Sequence, residues 1–279
     1  MVAVNPAEAR PETWREAEGP RATAALTEGE LVYAIGDIHG CYALMKDALA
    51  RVAADCEARA RGRRPILIFL GDYVDRGPDS AKVLDALAWL KRRSDLEIHF
   101  LKGNHEQALL GFIDAPQRGG PWIGFGGAET LASYGVAAPG EADGAEAYLR
   151  ARDELLERMP ASHLRLLQQL ELMVLVGDYA FVHAGVRPGQ PLEGQSETDL
   201  LWIRRGFVDQ PGPFGKVIVH GHTWLSERPQ LTEHRIGLDT GAYATGVLTA
   251  MRLEDHEVEL LQAERGDFNV WVPAQKAVA

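Results

Sequence analysis

Sulfur is scarce in this chain: its 279 residues include only two cysteines, Cys41 and Cys56, without CxxC spacing. Neither a disulfide framework nor a zinc ribbon is indicated, and buried or idle thiols are expected. Positive charge is also short, with 29 Lys and Arg against 40 Asp and Glu and a formal charge of −11. That balance opposes nonspecific attachment to nucleic acid or to an anionic membrane, while leaving room for a local basic pocket that takes one phosphate. Long apolar runs are missing. The longest, among them Ile66–Leu70 and Leu172–Val176, fall far short of the roughly 20 residues a membrane span needs. Pro6, Glu8, Arg10, Glu12, Arg15 and Glu16 interrupt the N-terminus, so there is no secretory core and a cytoplasmic protein is expected.

What the chain does have is a repeated junction between an apolar run and a polar, glycine-bracketed loop. Leu67-Ile68-Phe69-Leu70 runs into Gly71-Asp72-Tyr73-Val74-Asp75-Arg76-Gly77, and Leu31–Ile35 runs into Gly36-Asp37-Ile38-His39-Gly40. Ile98–Leu101 leads to Gly103-Asn104-His105-Glu106, Tyr179–Val182 to His183-Ala184-Gly185, and Lys216–Val219 to His220-Gly221-His222-Thr223. Such runs read as strands buried on both faces, and in open α/β sheets the ligand crevice lies at their carboxyl ends. Five junctions delivering Asp, His and Asn point to one metal or catalytic centre.

The five junctions span most of the length, so one α/β domain is expected over 30–265. Residues 1–29 read as a mostly disordered or loosely docked tail with Trp14 as its one candidate anchor, and 266–279 as a C-terminal tail. Between them the pattern alternates strand and helix. A helix is expected from Tyr42 to about Ala60, and another after Pro78 with Val83, Leu84, Leu87, Trp89 and Leu90 as its apolar stripe. A third covers about Glu106 to Phe112. The Gly- and Pro-rich text from Asp114 to Gly127 reads as a surface loop that shapes access to the site. A helical insertion follows at about 128–170, and strands resume from Glu171. The last three strands have hairpin spacing, which predicts a second, partly antiparallel sheet.

As residue types, Asp37, His39, Asp72, Asn104, His183 and His222 form an oxygen and nitrogen ligand set. Without thiolates, such a set suits two divalent cations of the Mn, Fe, Zn or Mg kind. Asp72, central in the motif order, is the candidate bridge between them. His39 and Gly40 before a helix suggest free N–H groups for an anion. Asp75 and His105 remain as a pair suited to proton donation, and Arg76 and Arg204 offer planar forks for phosphate oxygens. Glu106 reads as a helix cap.

Gly36–Gly40, Gly71–Gly77 and Gly103–Glu106 resemble the signature of the phosphoprotein phosphatase branch of the calcineurin-like metallophosphoesterases. His183-Ala184-Gly185, Trp202-Ile203-Arg204, His220-Gly221-His222-Thr223 and Asp239-Thr240-Gly241 resemble its bacterial serine/threonine phosphatases, as do Gly126-Gly127, Thr130-Leu131 and Ser133-Tyr134-Gly135. The resemblance implies an α/β sandwich of two mixed β-sheets flanked by helices. It implies Asp37, His39 and Asp72 around one metal and Asp72, Asn104, His183 and His222 around the other, with manganese, or iron and zinc, as the ions. His105 paired with Asp75 would be the general acid, and Arg76, Arg204 and Asn104 would hold the phosphate. The activity implied is direct in-line attack of a metal-activated hydroxide on phosphoserine or phosphothreonine in a protein.

Other readings compete with this one. A symmetrical dinucleoside tetraphosphate hydrolase carries a related signature and is the first alternative. A phosphodiesterase or nuclease, and a catalytically dead metal-binding scaffold, are more distant. Asp239-Thr240-Gly241 also occurs in aspartic proteases, but those need two such acids and this chain has one copy. It is read as a turn beside the metal site. His220 is left off the ligand list, because a satisfied structural histidine explains it equally well. His99, His163, His234 and His256 are read as structural or exposed.

Overall fold

Every residue of the segment Leu31–Ile35 is buried, which requires cover on both faces of its sheet. The cover differs by face. Leu31, Tyr33 and Ile35 share a core with the helical residues Leu44, Met45, Val83 and Leu84, whereas Val32 and Ala34 share one with Val174, Phe181 and Val219 of a second sheet. This alternation is the period-two geometry of a strand, and it repeats along the neighbouring strands to give a layered sandwich.

The computed structural model describes residues 14–16, 25–140 and 142–265. The strands are β1 (Trp14–Glu16), β2 (Leu31–Ile35), β3 (Ile66–Phe69), β4 (Glu97–Phe100), β5 (Met173–Val176), β6 (Tyr179–Val182), β7 (Val217–His220), β8 (Gln230–Leu231), β9 (Arg235–Gly237), β10 (Val247–Glu254) and β11 (Glu257–Glu264). One sheet has the order β1-β11-β10-β2-β3-β4 and the other β5-β6-β7-β9-β8. The pairs β2–β3, β3–β4, β6–β7 and β7–β9 are parallel, so both sheets are mixed. The helices are α1 (Tyr42–Arg59), α2 (Ser80–Arg93), α3 (Asn104–Asp114), α4 (Gly120–Trp122), α5 (Ala128–Ser133), α6 (Ala145–Arg158), α7 (Ala161–Gln168), α8 (Glu197–Trp202), α9 (Arg205–Val208) and α10 (Ala242–Thr245). On its outer face the second sheet buries Ala180, Val182 and Ile218 against Leu200, Phe207 and Phe214.

Three expectations are corrected. The closing hairpin β10–β11 lies in the first sheet, where β10 pairs antiparallel with β2 through Ala250↔Ile35 and Arg252↔Tyr33. Hairpin spacing fixes the partner within the hairpin but not the sheet edge it joins. Trp89 is 56 % exposed, and Ala88 takes the buried place beside Leu87. The segment after Asp114 is not an open loop: it makes short helical turns at Pro116–Arg118, α4 and Ile123–Gly127, with Trp122 buried. In the expected N-terminal tail, Trp14–Glu16 pairs with β11, and Ala25 and Thr27 are buried. The rest of the two expected tails, 1–13, 17–24 and 266–279, lies outside the described residues.

Candidate metal centre

Parallel strands end together, so β2, β3, β4, β6 and β7 deliver their polar junctions to one edge of the sandwich. Backbone bonds then lock the junctions to one another. The N–H groups of Ile38 and His39 donate to the Asp72 carbonyl at 3.1 and 2.8 Å, and that of Gly40 donates to Tyr73. These groups are therefore already engaged with the β3 junction and are not free for an anion. Glu106 does more than cap α3. Its buried carboxyl oxygens accept the N–H groups of Gly103 at 2.9 Å, Asp72 at 2.8 Å, Tyr73 at 2.7 Å and Val74 at 3.3 Å, tying the β3 junction to the β4 junction. Gly221 lies so close to Asp37 that a Cβ there would run into the carboxylate.

All six predicted ligands are buried and come together. Asp72 lies in the middle, with its Oδ2 at 3.4 Å from His39 Nε2 and its Oδ1 at 3.5 Å from His183 Nε2. Two groups have ligand spacing, His39 with Asp72 and His105, and Asp72 with His183 and His222. Asp37 stands beside them, its Oδ2 accepting the His222 N–H at 2.9 Å. His39 donates through Nδ1 to the Val74 carbonyl at 2.9 Å, and His183 donates likewise to Leu70 at 2.8 Å. In the neutral rings the Nε2 lone pairs then face inward. His183 Nε2 and His222 Nδ1 both converge on Asn104 Oδ1, at 2.9 and 2.8 Å.

Charge at the site follows from burial. Burial pulls His39 and His183 below the ordinary histidine range, and burial with the neighbouring His183 takes His222 down to about 2. These rings are neutral, as metal-ligating imidazoles must be. Burial alone would protonate Asp72, but the surrounding imidazoles of His183, His105, His39 and His222 hold it below its usual range. Burial, followed by the charges of Asp239 and Asp72, raises Asp37. Asp239 is pushed up to about 7, chiefly by burial, and its Oδ1 accepts the Gly241 N–H at 2.9 Å, the turn expected there.

The donor set fits two divalent cations on two observations. With its Nδ1 proton given to the Leu70 carbonyl, His183 presents a bare Nε2 lone pair to Asn104 Oδ1 at 2.9 Å, a contact between two acceptors that no proton explains. Asp37 Oδ1 and His222 Nε2 are buried with no hydrogen-bond partner, a costly condition that a coordinated ion relieves.

Around this cluster stand the remaining predicted residues. His105 Nδ1 lies 2.6 Å from Asp75 Oδ2, and its Nε2 lies 4.0 Å from Asp72. Burial opposes its protonation, yet the Asp72 charge and the Asp75 hydrogen bond outweigh burial, and its pKa is raised. Arg76 contacts His39 Nε2 at 3.1 Å and lies over the Tyr243 ring at 4.8 Å. Arg204 is exposed at the start of α9, and its charge bears on both His183 and His222. His220 is not in the cluster; it is buried between the Gly221 carbonyl at 2.9 Å and Arg235 at 3.4 Å. His163 is held by Tyr134 and Asp85, and His99 pairs with Glu97 and Glu171.

The junction pattern does not point to Trp122, Thr130 or Tyr243. Trp122 Nε1 donates to Asp75 at 2.9 Å, Thr130 donates to it at 2.6 Å, and Tyr243 meets His39 with ring centroids 5.2 Å apart. Thr130 falls within the resemblance to bacterial phosphatases, while nothing in the local text marks the other two.

Known proteins resemble this chain over most of its length. The asymmetrical bis(5'-nucleosyl)-tetraphosphatase PrpE of Bacillus velezensis is 27 % identical over 252 residues, covering 80 % of this chain and 89 % of that protein. Serine/threonine-protein phosphatase 1 of Salmonella typhimurium is 28 % identical over 236 residues, covering 80 % and 92 %. A crystal structure provisionally described as a diadenosine tetraphosphatase superposes with a TM-score of 0.57 at 21 % identity, covering 86 % of this chain and 96 % of that one. No helix among the described residues is long and apolar enough to cross a membrane. The calcineurin-like phosphoesterase family model matches residues 31–260, and the chain belongs to that family of metal-dependent hydrolases.

Proposed function

We propose that the chain removes phosphate from alcohol esters, with phosphoserine and phosphothreonine of proteins as its substrates. The observation that carries this reading is the buried His105–Asp75 pair, 2.6 Å apart. A positioned proton donor gains most when the leaving oxygen would otherwise depart as a basic alkoxide. Cleavage between two phosphates releases an oxygen that is already a good leaving group and needs the donor less. In this reading Asp37, His39 and Asp72 hold one cation and Asp72, Asn104, His183 and His222 the other, with manganese as the expected ion. When bound, the two ions would supply an acidified water and neutralise charge on the phosphoryl oxygens. Arg76, steadied by Tyr243, and Arg204, at the exposed side, would grip the phosphate, with Asn104 adding a hydrogen bond. The likeness to the Salmonella phosphatase supports the same substrate class.

A second reading is hydrolysis of dinucleoside tetraphosphates. It is favoured by the PrpE relatives and by Trp202, 43 % exposed with its ring 6.4 Å from that of His222, an aromatic face on which a base can stack. Those relatives are named as asymmetrical enzymes, whereas the signature in the sequence resembles that of symmetrical ones. Manganese-loaded protein assayed on a phosphothreonine peptide and on diadenosine tetraphosphate separates the readings. Phosphate release from the peptide is expected to dominate. Nucleotide products without peptide dephosphorylation would overturn the proposal, two ADP marking symmetrical cleavage and ATP with AMP asymmetrical cleavage. His105→Ala should cost about 10²–10⁴-fold on a serine phosphate and far less on nitrophenyl phosphate. Equal losses would remove His105 as the acid.

A further inference from the structure

We propose that the segment 115–133, an insertion following α3, is part of the proton-donating machinery, with Trp122 and Thr130 as positioning residues that clamp Asp75 and, through it, His105. The Asp75 side chain is wholly buried and three donors converge on it. His105 Nδ1 and Trp122 Nε1 lie at 2.6 and 2.9 Å from Oδ2, and the Thr130 hydroxyl donates to Oδ1 at 2.6 Å. Thr130 also grips the other end of the residue, since its oxygen accepts the Asp75 backbone N–H at 2.8 Å. That second hold has a purpose. Asp75 and Arg76 have φ of 72° and 69°, a left-handed conformation that persists only where the surroundings enforce it.

Gly126 and Gly127 let the insertion come close enough to do this. The Gly126 carbonyl accepts the Arg76 N–H at 3.1 Å. Gly126 has φ of 115°, and a Cβ there would stand 2.7 Å from both the backbone nitrogen and the Cγ of Arg76. A Cβ on Gly127 would enter the Trp122 ring. On its other side that ring packs on Phe112 of α3, with centroids 4.7 Å apart, and the first turn of α3 carries His105. The carboxylate plane of Asp75 is thus fixed from the insertion and the imidazole is fixed by the carboxylate, which leaves His105 Nε2 aimed at the cluster.

This inference rests on His105 being the general acid, and the variants chosen tell the two apart. Thr130→Val, Thr130→Ser and Trp122→Phe are compared with His105→Ala on a serine phosphate and on nitrophenyl phosphate, with cation stoichiometry measured for each. Thr130→Val and Trp122→Phe should each lose about tenfold or more on the serine phosphate, as expected for a lost hydrogen bond to a charged group, and little on nitrophenyl phosphate. Their cation content should equal that of the parent, and Thr130→Ser should restore turnover. In the His105→Ala background, Thr130→Val should cost nothing further. Parent-like behaviour of Thr130→Val, or equal loss on both substrates, beside a leaving-group-selective His105→Ala would overturn this inference alone. A His105→Ala variant that loses equally on both substrates would sink the general-acid reading and this inference with it.

Discussion

Asp72 is approached by His39, His183 and His105 at 3.4, 3.5 and 4.0 Å, so its charge serves both halves of the cluster. Asp72→Asn should reduce turnover by about 100-fold or more and weaken both cations. Normal activity together with normal cation stoichiometry would remove it as a bridge. The charge of Arg204 bears on His183 and His222, so Arg204→Ala should raise KM or slow turnover more than Arg205→Ala does. Steady-state kinetics giving the reverse ranking would move the phosphate grip by one position. The clustering of the six candidate ligands was legible in the sequence because each follows an apolar run and sits in or beside a glycine-bracketed junction, a pattern local enough to read. Trp122 and Thr130 were not legible as partners of Asp75, because they meet it from 47 and 55 residues away and no local pattern encodes that contact. Glu106 lies between: its cap was readable, its three bonds to the β3 junction were not.

Among the elements, the central strands were the most legible, since burial on both faces demands an unbroken apolar run. Ile68 of β3 is fully buried in the core between the sheets. Ile68→Ala should therefore destabilise the fold by about 2–5 kcal/mol, lowering the urea midpoint without changing the slope. A cost below about 1 kcal/mol would mean that the space between the sheets is loosely filled. Edges and connections were harder to read. The placement of β10 beside β2 depends on which sheet edge stays open after the parallel strands assemble, a long-range condition. The helical turns after Asp114 were hidden because Gly and Pro ordinarily mark loops, yet here Pro116 and Pro121 open short turns and Gly126 supplies the left-handed kink.

For the molecule as a whole, the pKa shifts set a direction for stability without cations. Burial raises Asp239 to about 7 and Glu106 to about 8, and His105 is also raised. The folded state of each keeps a proton that the unfolded chain has already lost, so stability falls as pH rises through these values. The neutral histidines His39, His183 and His222 work in the opposite sense, but only below about pH 6.5, their unfolded value. The melting midpoint of chelated protein should consequently decline between about pH 6.5 and 8.5, and added Mn²⁺ should flatten that decline by neutralising the carboxylates. A midpoint that rises over this interval in a buffer series would contradict the charge assignment. The first sheet carries one further consequence at its outer edge. Three residues of β1 pair with Glu259, Leu260 and Leu261 of β11, a strand of eight residues. Truncation before Ala25 would leave the whole outer edge of β11 without its strand partner, and an unpaired edge of that length is a template for a second chain. Such a truncated protein should self-associate as its concentration rises, while its cluster of carboxylates and imidazoles, at the carboxyl ends of β2, β3, β4, β6 and β7, stays intact.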